Sequence, residues 1–141
     1  MNIYFSCSLT GGREFEEVYG LIVDHLVAHG HDVLTEHLAR PEVMVEERII
    51  DPNEVFQRDI NWIHECDVLI AEVSTPSHGV GYEIACALWQ HKPVLCCYKE
   101  GTRVSKMLTG NDTAGFEIRT YREVSQVLDE IDGFLSLFTY E

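Results

Sequence analysis

Val68-Leu69-Ile70-Ala71-Glu72-Val73-Ser74-Thr75-Pro76-Ser77-His78-Gly79-Val80-Gly81-Tyr82-Glu83-Ile84-Ala85-Cys86-Ala87-Leu88-Trp89 changes character partway along. The first six residues are a short, mostly apolar run of strand length. Ser74, Thr75, Pro76, Ser77 and Gly79 then make a turn-rich loop over 74–79. From Val80 to about residue 90 the chain reads as a helix that is apolar on every side. A strand, a tight loop and a helix in that order are half of a βαβ unit.

Outward from this stretch the same alternation continues. Residues 3–6 form a short β-type run, followed by Gly11-Gly12 and a helix over about 13–29. Val18, Leu21, Ile22, His25, Leu26 and Ala28 keep a 3.6-residue period in that helix, and Gly30 stops it. Residues 32–35 read as a second strand. Residues 39–53, mixed and charged with two prolines, are expected to be loop, and helical spacing returns over 52–64. Beyond the quoted stretch come a strand over 93–98, a short helix over 103–108, a strand over 116–121 and an amphipathic helix over 123–138. Strands alternating with helices imply a parallel sheet covered on both faces. Five strands in one domain, 1–141, predict an α/β three-layer sandwich of flavodoxin-like (Rossmann-like) type with strand order 2-1-3-4-5. Ligands of such sheets sit beyond the carboxyl ends of the strands, at the switch point. The loops after strands one and three are therefore the first candidates.

Ten Lys plus Arg stand against 24 Asp plus Glu, a formal charge of −14. A chain this acidic repels nucleic acid and anionic membrane surfaces, so a phosphate ligand would need a local pocket. No apolar run reaches the eighteen or so residues a membrane span needs, and the first residues lack the basic region of a signal peptide. Cys7, Cys66, Cys86, Cys96 and Cys97 are odd in number and lack metal-ligand spacing; four lie in apolar runs, which suits a reducing, cytoplasmic compartment. No metal and no cofactor are expected.

The first loop contains Ser6-Cys7-Ser8-Leu9-Thr10-Gly11-Gly12-Arg13. Its glycines can bring backbone N–H groups to an anion at the next helix start, and Arg13 can form two bonds to phosphate; a tight turn with a solvated arginine is the plain alternative. Neither nucleotide-binding fingerprint, G-x-x-x-x-G-K-[ST] or G-x-G-x-x-G, is present. In the second loop Gly79 and Gly81 again leave amides free for an anion, whereas Ser77 also suits a simple helix cap. Glu83 lies on a helix with no polar face and so is expected to be at least partly buried. It is either a first-turn glutamate favoured by the helix dipole or a nucleophilic carboxylate kept ionised by that dipole. Asp59 has Val55, Phe56, Trp62 and Ile63 at three and four residues either side, which sets it on an apolar stripe. It is either hydrogen-bonded structurally or an acid/base with a raised pKa. Two such carboxylates suggest glycosidic-bond chemistry, one attacking the anomeric carbon and one handling the leaving group's proton. Tyr4 either orients the nucleophile or fills the core. His37 follows strand two on the ligand side, while His25, His29, His31, His64, His78 and His91 show no ligand or catalytic-pair spacing.

Ile3-Tyr4-Phe5 with Ser8 and Gly11-Gly12-Arg13, then Thr35-Glu36-His37, Asp59 before Trp62, and Pro76-Ser77-x-Gly79-Val80-Gly81-Tyr82-Glu83 together resemble the 2'-deoxynucleoside 5'-monophosphate N-glycosidases of the nucleoside 2-deoxyribosyltransferase superfamily. The resemblance runs in order over nearly the whole chain. It implies a flavodoxin-like homodimer that cleaves the base from a small-molecule deoxynucleoside monophosphate through a covalent deoxyribosyl-enzyme intermediate. By position it implies Glu83 as nucleophile, Asp59 as acid/base and Tyr4 as the residue orienting Glu83. Ser8, Gly11, Gly12, Arg13, Ser77 and Gly79 would bind substrate, with His37 beside the base. Ser105, with Met107 near it, would reach the phosphate in the neighbouring subunit's site.

Better-known members of that family carry an arginine where this chain has Thr10 and a glycine where it has Cys7. Losing the arginine is expected to weaken phosphate binding by about 1.5–3 kcal/mol. A dimer also follows from the residues, because the helix at 80–89 carries more apolar surface than one sheet face covers; cover by the C-terminal helix is the alternative. Two rival functions stand beside hydrolysis: transfer of the deoxyribosyl group to a second base, and a nucleotide-binding sensor without turnover.

Overall fold

The computed structural model describes residues 1–9, 14–40 and 42–139. Strands β1 (Asn2–Ser6), β2 (Asp32–Val33), β3 (Val68–Glu72), β4 (Val94–Lys99) and β5 (Phe116–Tyr121) form one sheet in the order β2-β1-β3-β4-β5. Every pairing is parallel, as the expected order requires. Side chains alternate along each strand and sort into two cores. Ile3, Phe5, Val68, Ile70, Leu95 and Cys97 pack under α1 (Glu16–Ala28) and α6 (Val124–Ser136). Tyr4, Leu69, Ala71, Val94 and Cys96 pack on the other face with Ile63 of α3 (Pro52–Glu65) and Val80, Ile84 and Ala87 of α4 (His78–Trp89).

Local signals explain the helix ends. The N–H of Gly30 donates to Val27 and that of His31 to Leu26, a pair that closes α1 and requires the left-handed backbone that Gly30 adopts at φ 83°. Asp51 caps α3 through the N–H of Asn53, with Pro52 in the first turn. Ser77 caps α4 through the N–H of Val80, and Glu123 and Gln126 form a reciprocal box at the start of α6.

Three expectations need correction. The stretch 39–53 is not all loop: a 3-10 turn ends at Ala39 and helix α2 spans Val43–Ile49. Seven residues give barely two turns, and its apolar pair Val45 and Ile49, although at i, i+4 spacing, faces solvent, so the segment is too short and too charged to stand out as an amphipathic helix. The second strand has only two residues. Leu34 still donates to the Ile3 carbonyl, but at Thr35 the side chain takes over, its hydroxyl accepting from the N–H of Phe5 and donating to the Phe5 carbonyl. Helix α4 begins two residues early, at His78, and it is not buried all round. It buries Val80, Ile84 and Ala87, while Tyr82 is exposed and Trp89 is 88% exposed. Cover by the C-terminal helix fails, because α6 packs beside α1 on the opposite face of the sheet.

All five cysteines are free thiols, four of them buried. Burial pushes Cys66 up to about 11 and Cys96 up to about 12, which leaves them inert core residues. No helix among the described residues is long and apolar enough to cross a membrane.

Candidate active site

The carboxyl ends of β1 and β3 and the first turns of α4 converge on Glu83. Tyr4 and Ser6 are two apart on β1 and so face the same side. The Ser6 hydroxyl donates to Glu83 Oε2 at 2.6 Å. The Tyr4 hydroxyl is buried beside the same carboxylate without a hydrogen bond of full geometry. Burial pushes Glu83 up to about 7; the Ser6 bond opposes that shift, and the negative Asp59 adds to it. Burial, Glu83 and Asp59 together raise the Tyr4 hydroxyl far above the usual tyrosine range, so it acts only as a neutral donor. Ser6 therefore tunes the ionisation of Glu83. In Ser6→Ala the ascending limb of the pH–rate profile is expected to move upward by about one unit or more, since a hydrogen bond to a charged group is worth roughly 1.5–3 kcal/mol. An unmoved limb would show that Ser6 only packs.

Asp59 stands across from this group on α3. Burial raises its carboxyl above the usual range despite Arg58, whose Nε donates to Asp59 Oδ1 at 2.9 Å. Arg58 in turn donates through Nη1 to Glu47 Oε1 at 2.9 Å and lies over the Trp62 ring at 4.9 Å. Glu47 belongs to α2, so this ion pair ties α2 to α3. His37 closes the group, its ring edge-on to Trp62 at 5.5 Å and its Nε2 3.9 Å from Glu47.

A cavity of about 490 Å³ opens between these elements. Glu47, Asp59 and Glu83 supply its acidic wall, Leu38, Ile50, Val55 and Val80 its apolar wall, and Phe56 and Tyr82 an aromatic rim with ring centres 6.1 Å apart. Ser77 and Gly79, at the start of α4, form one end. First-turn N–H groups of a helix have no intrahelical acceptor, so this end favours an anion. A Cβ on Gly79 would lie 3.9 Å from Ser77 Oγ and 4.0 Å from Glu83 Oε1, filling the space between that end and the carboxylate. The cavity thus offers an anion end, a carboxylate one turn further on, and an apolar slot closed by a second carboxylate.

The sequence-derived candidates fall in three places. Glu83, Asp59, Tyr4, Ser77 and Gly79 come together here, with Cys7 on the wall and Ser8 buried behind it. His37 meets Trp62 and Glu47 rather than lining the cavity. Ser105, which caps the short helix α5 (Lys106–Thr109), and Met107 line a separate cavity of about 700 Å³ on the far side of the Ser77 loop. That second cavity is larger but has no carboxylate on its wall. Thr10, Gly11, Gly12 and Arg13 lie outside the described residues. Ser6, Arg58 and Glu47 escaped the reading of the sequence. Ser6 was signalled by its place two residues after Tyr4 at the end of a strand; Glu47 had no signal, because its helix had none.

An open parallel sheet with a half-buried, hydroxyl-supported glutamate beside its switch point defines an α/β protein of flavodoxin-like architecture with a carboxylate-walled cavity. The chain belongs to the nucleoside 2-deoxyribosyltransferase family, whose model matches residues 3–126. It is 39% identical over 134 residues to a Methanosarcina mazei protein that carries the provisional name 2'-deoxynucleoside 5'-phosphate N-hydrolase 1, covering 95% of this chain and 83% of that one. It is 38% identical over 135 residues to the 5-hydroxymethyl-dUMP N-hydrolase of Rattus norvegicus, covering 91% and 82%. Among solved structures, the CMP N-glycosidase of Clostridium botulinum shares the fold with a TM-score of 0.68 at 18% identity, over 94% of this chain and 99% of that one.

Proposed function

We propose that this chain hydrolyses the N-glycosidic bond of 2'-deoxynucleoside 5'-monophosphates to free base and 2-deoxyribose 5-phosphate. The observation that carries this reading is the Glu83 carboxylate, held by Ser6 on a cavity wall it shares with Asp59. The 5'-phosphate binds at the α4 end of the cavity, on Ser77 and the first-turn amides, and the base lies in the apolar slot toward Asp59. An ionised Glu83 oxygen attacks C1', the C1'–N bond breaks with its electron pair going to the base, and Asp59 supplies the proton the base takes up. Water then attacks C1' of the ester, Asp59 takes its proton, and Glu83 leaves as carboxylate. The raised pKa of Asp59 suits the first of these tasks.

The same proposal includes a homodimer. Trp89, Met107 and the half-buried Val104 and Leu108 leave an apolar face beside Ser105, which a second copy would cover while bringing Ser105 to the neighbouring phosphate site. The acidic charge argues against nucleic acid as partner, and the five free thiols suit a reducing, cytoplasmic compartment.

The test is chromatographic. The purified chain is incubated with the four deoxynucleoside monophosphates, their ribo forms and the unphosphorylated deoxynucleosides, with and without an acceptor base. Free base released from the deoxy monophosphates is the expected result. Exchange into the acceptor from unphosphorylated nucleosides would make it a transferase, and a stoichiometric complex without free base would make it a sensor.

A further inference from the structure

At the other end of the sheet, away from the cavity, α1 finishes against α6. Strands run parallel and α1 returns antiparallel to them, so its last turn lies by their amino ends. One helical turn separates His25 from His29, and their rings lie tilted at 38° with centres 4.1 Å apart. Asp132 of α6 faces them, its Oδ1 2.8 Å from His25 Nε2. A ligand atom from each of the three residues lies within 4.8 Å of the other two.

The hydrogen bonding leaves a usable lone pair. His29 Nδ1 sits 2.8 Å from the His25 carbonyl oxygen. A carbonyl only accepts, so Nδ1 carries the proton, and the Nε2 of a neutral His29 is left as an acceptor, the tautomer that ligating histidines adopt. The site lies on the last turn of α1, where the helix dipole favours a cation, in a chain of formal charge −14. Asp132 and His29 are exposed enough to move. A zinc-like ion at roughly 2.0–2.2 Å from each ligand needs ligand atoms about 3.4 Å apart, a small opening of the present His25–Asp132 contact.

We propose that His25, His29 and Asp132 form a binding site for a divalent ion of the zinc, nickel or cobalt class that clips α1 to α6. Two imidazoles and one carboxylate select such borderline ions over magnesium or calcium. The ion replaces the hydrogen bond between His25 and Asp132, and the proton on His25 Nε2 moves to Nδ1 or to solvent. Its place at the far end of the sheet makes it structural, separate from the proposed hydrolysis. His25 and His29 show no ligand set in the sequence because this i, i+4 pair gains its third ligand only when α6 packs beside α1.

The test uses the untagged chain, stripped with chelator and then dialysed against zinc or cobalt(II). The expected result is one retained ion per chain, visible d–d absorption with cobalt, and a higher melting temperature with zinc. His29→Ala and Asp132→Asn, both at exposed positions, should weaken binding at least tenfold and abolish the temperature rise, while base release from substrate stays unchanged. No retained ion in the parent chain, or equal retention by both variants as would follow from binding at the cysteines, would overturn the proposal.

Discussion

Glu83→Gln is expected to release no base and yet to be more stable than the parent chain above neutral pH. The two effects share one cause. An ionised Glu83 is the nucleophile in the proposed reaction, and glutamine cannot form the ester, so kcat should fall by about 10⁴-fold or more. The stability effect follows from linkage. Burial raises the Glu83 carboxyl from 4.5 to about 7 in the folded chain, so between those values the folded state holds a proton that the unfolded state has lost. Stability therefore declines as pH rises through this window, and the full cost is present above about pH 7. Glutamine keeps an acceptor for the Ser6 hydroxyl but never ionises, which removes a cost on the order of 3 kcal/mol. Denaturant unfolding at pH 8 and at pH 4 checks this: the variant should gain at the higher pH and roughly match the parent at the lower. A variant that is both inactive and less stable at pH 8 would mean that Glu83 is a structural carboxylate, satisfied where it sits.

Asp59→Asn is the second large effect. Asparagine keeps the size and can accept from Arg58, but it can neither supply nor take a proton. Loss of a positioned acid/base slows turnover by about 10²–10⁴-fold. The loss should depend on the leaving base. A base with an electron-withdrawing substituent departs as a stable anion and needs little help, so its release should suffer far less than that of an ordinary pyrimidine. Equal losses for both substrates would assign Asp59 a role in holding Arg58 and the α2–α3 contact instead. Burial raises the Asp59 carboxyl against the pull of Arg58, and whatever pH dependence of turnover comes from that proton should be absent from this variant.

Much of this site was legible from spacing. Glu83 stood out as a charge on a helix with no polar face, Asp59 as a charge on an apolar stripe, and Ser77 and Gly79 as the start of that helix. The two carboxylates are conflicts between a residue and its local pattern, and such conflicts gather at functional sites. Ser6 and Glu47 raised no such conflict. A serine at a strand end and a glutamate in a charged segment are locally ordinary, and what they do depends on which element folds against them.

By itself the sequence determined the alternation of strands and helices and hence a parallel sheet, because apolar periodicity and turn residues are properties of neighbours along the chain; the strand order came from the architecture such alternation favours. The local anomalies that mark Glu83 and Asp59 are of the same kind. Tertiary structure alone decided that Ser6 donates to Glu83 across 77 residues, that Arg58 shares itself between Asp59 and Glu47, that α4 leaves Trp89 exposed, and that Asp132 meets the His25–His29 pair. The Ser6–Glu83 and His25–Asp132 contacts join positions far apart in the chain, and the energies of all these contacts depend on desolvation and geometry that exist only once the layers have packed.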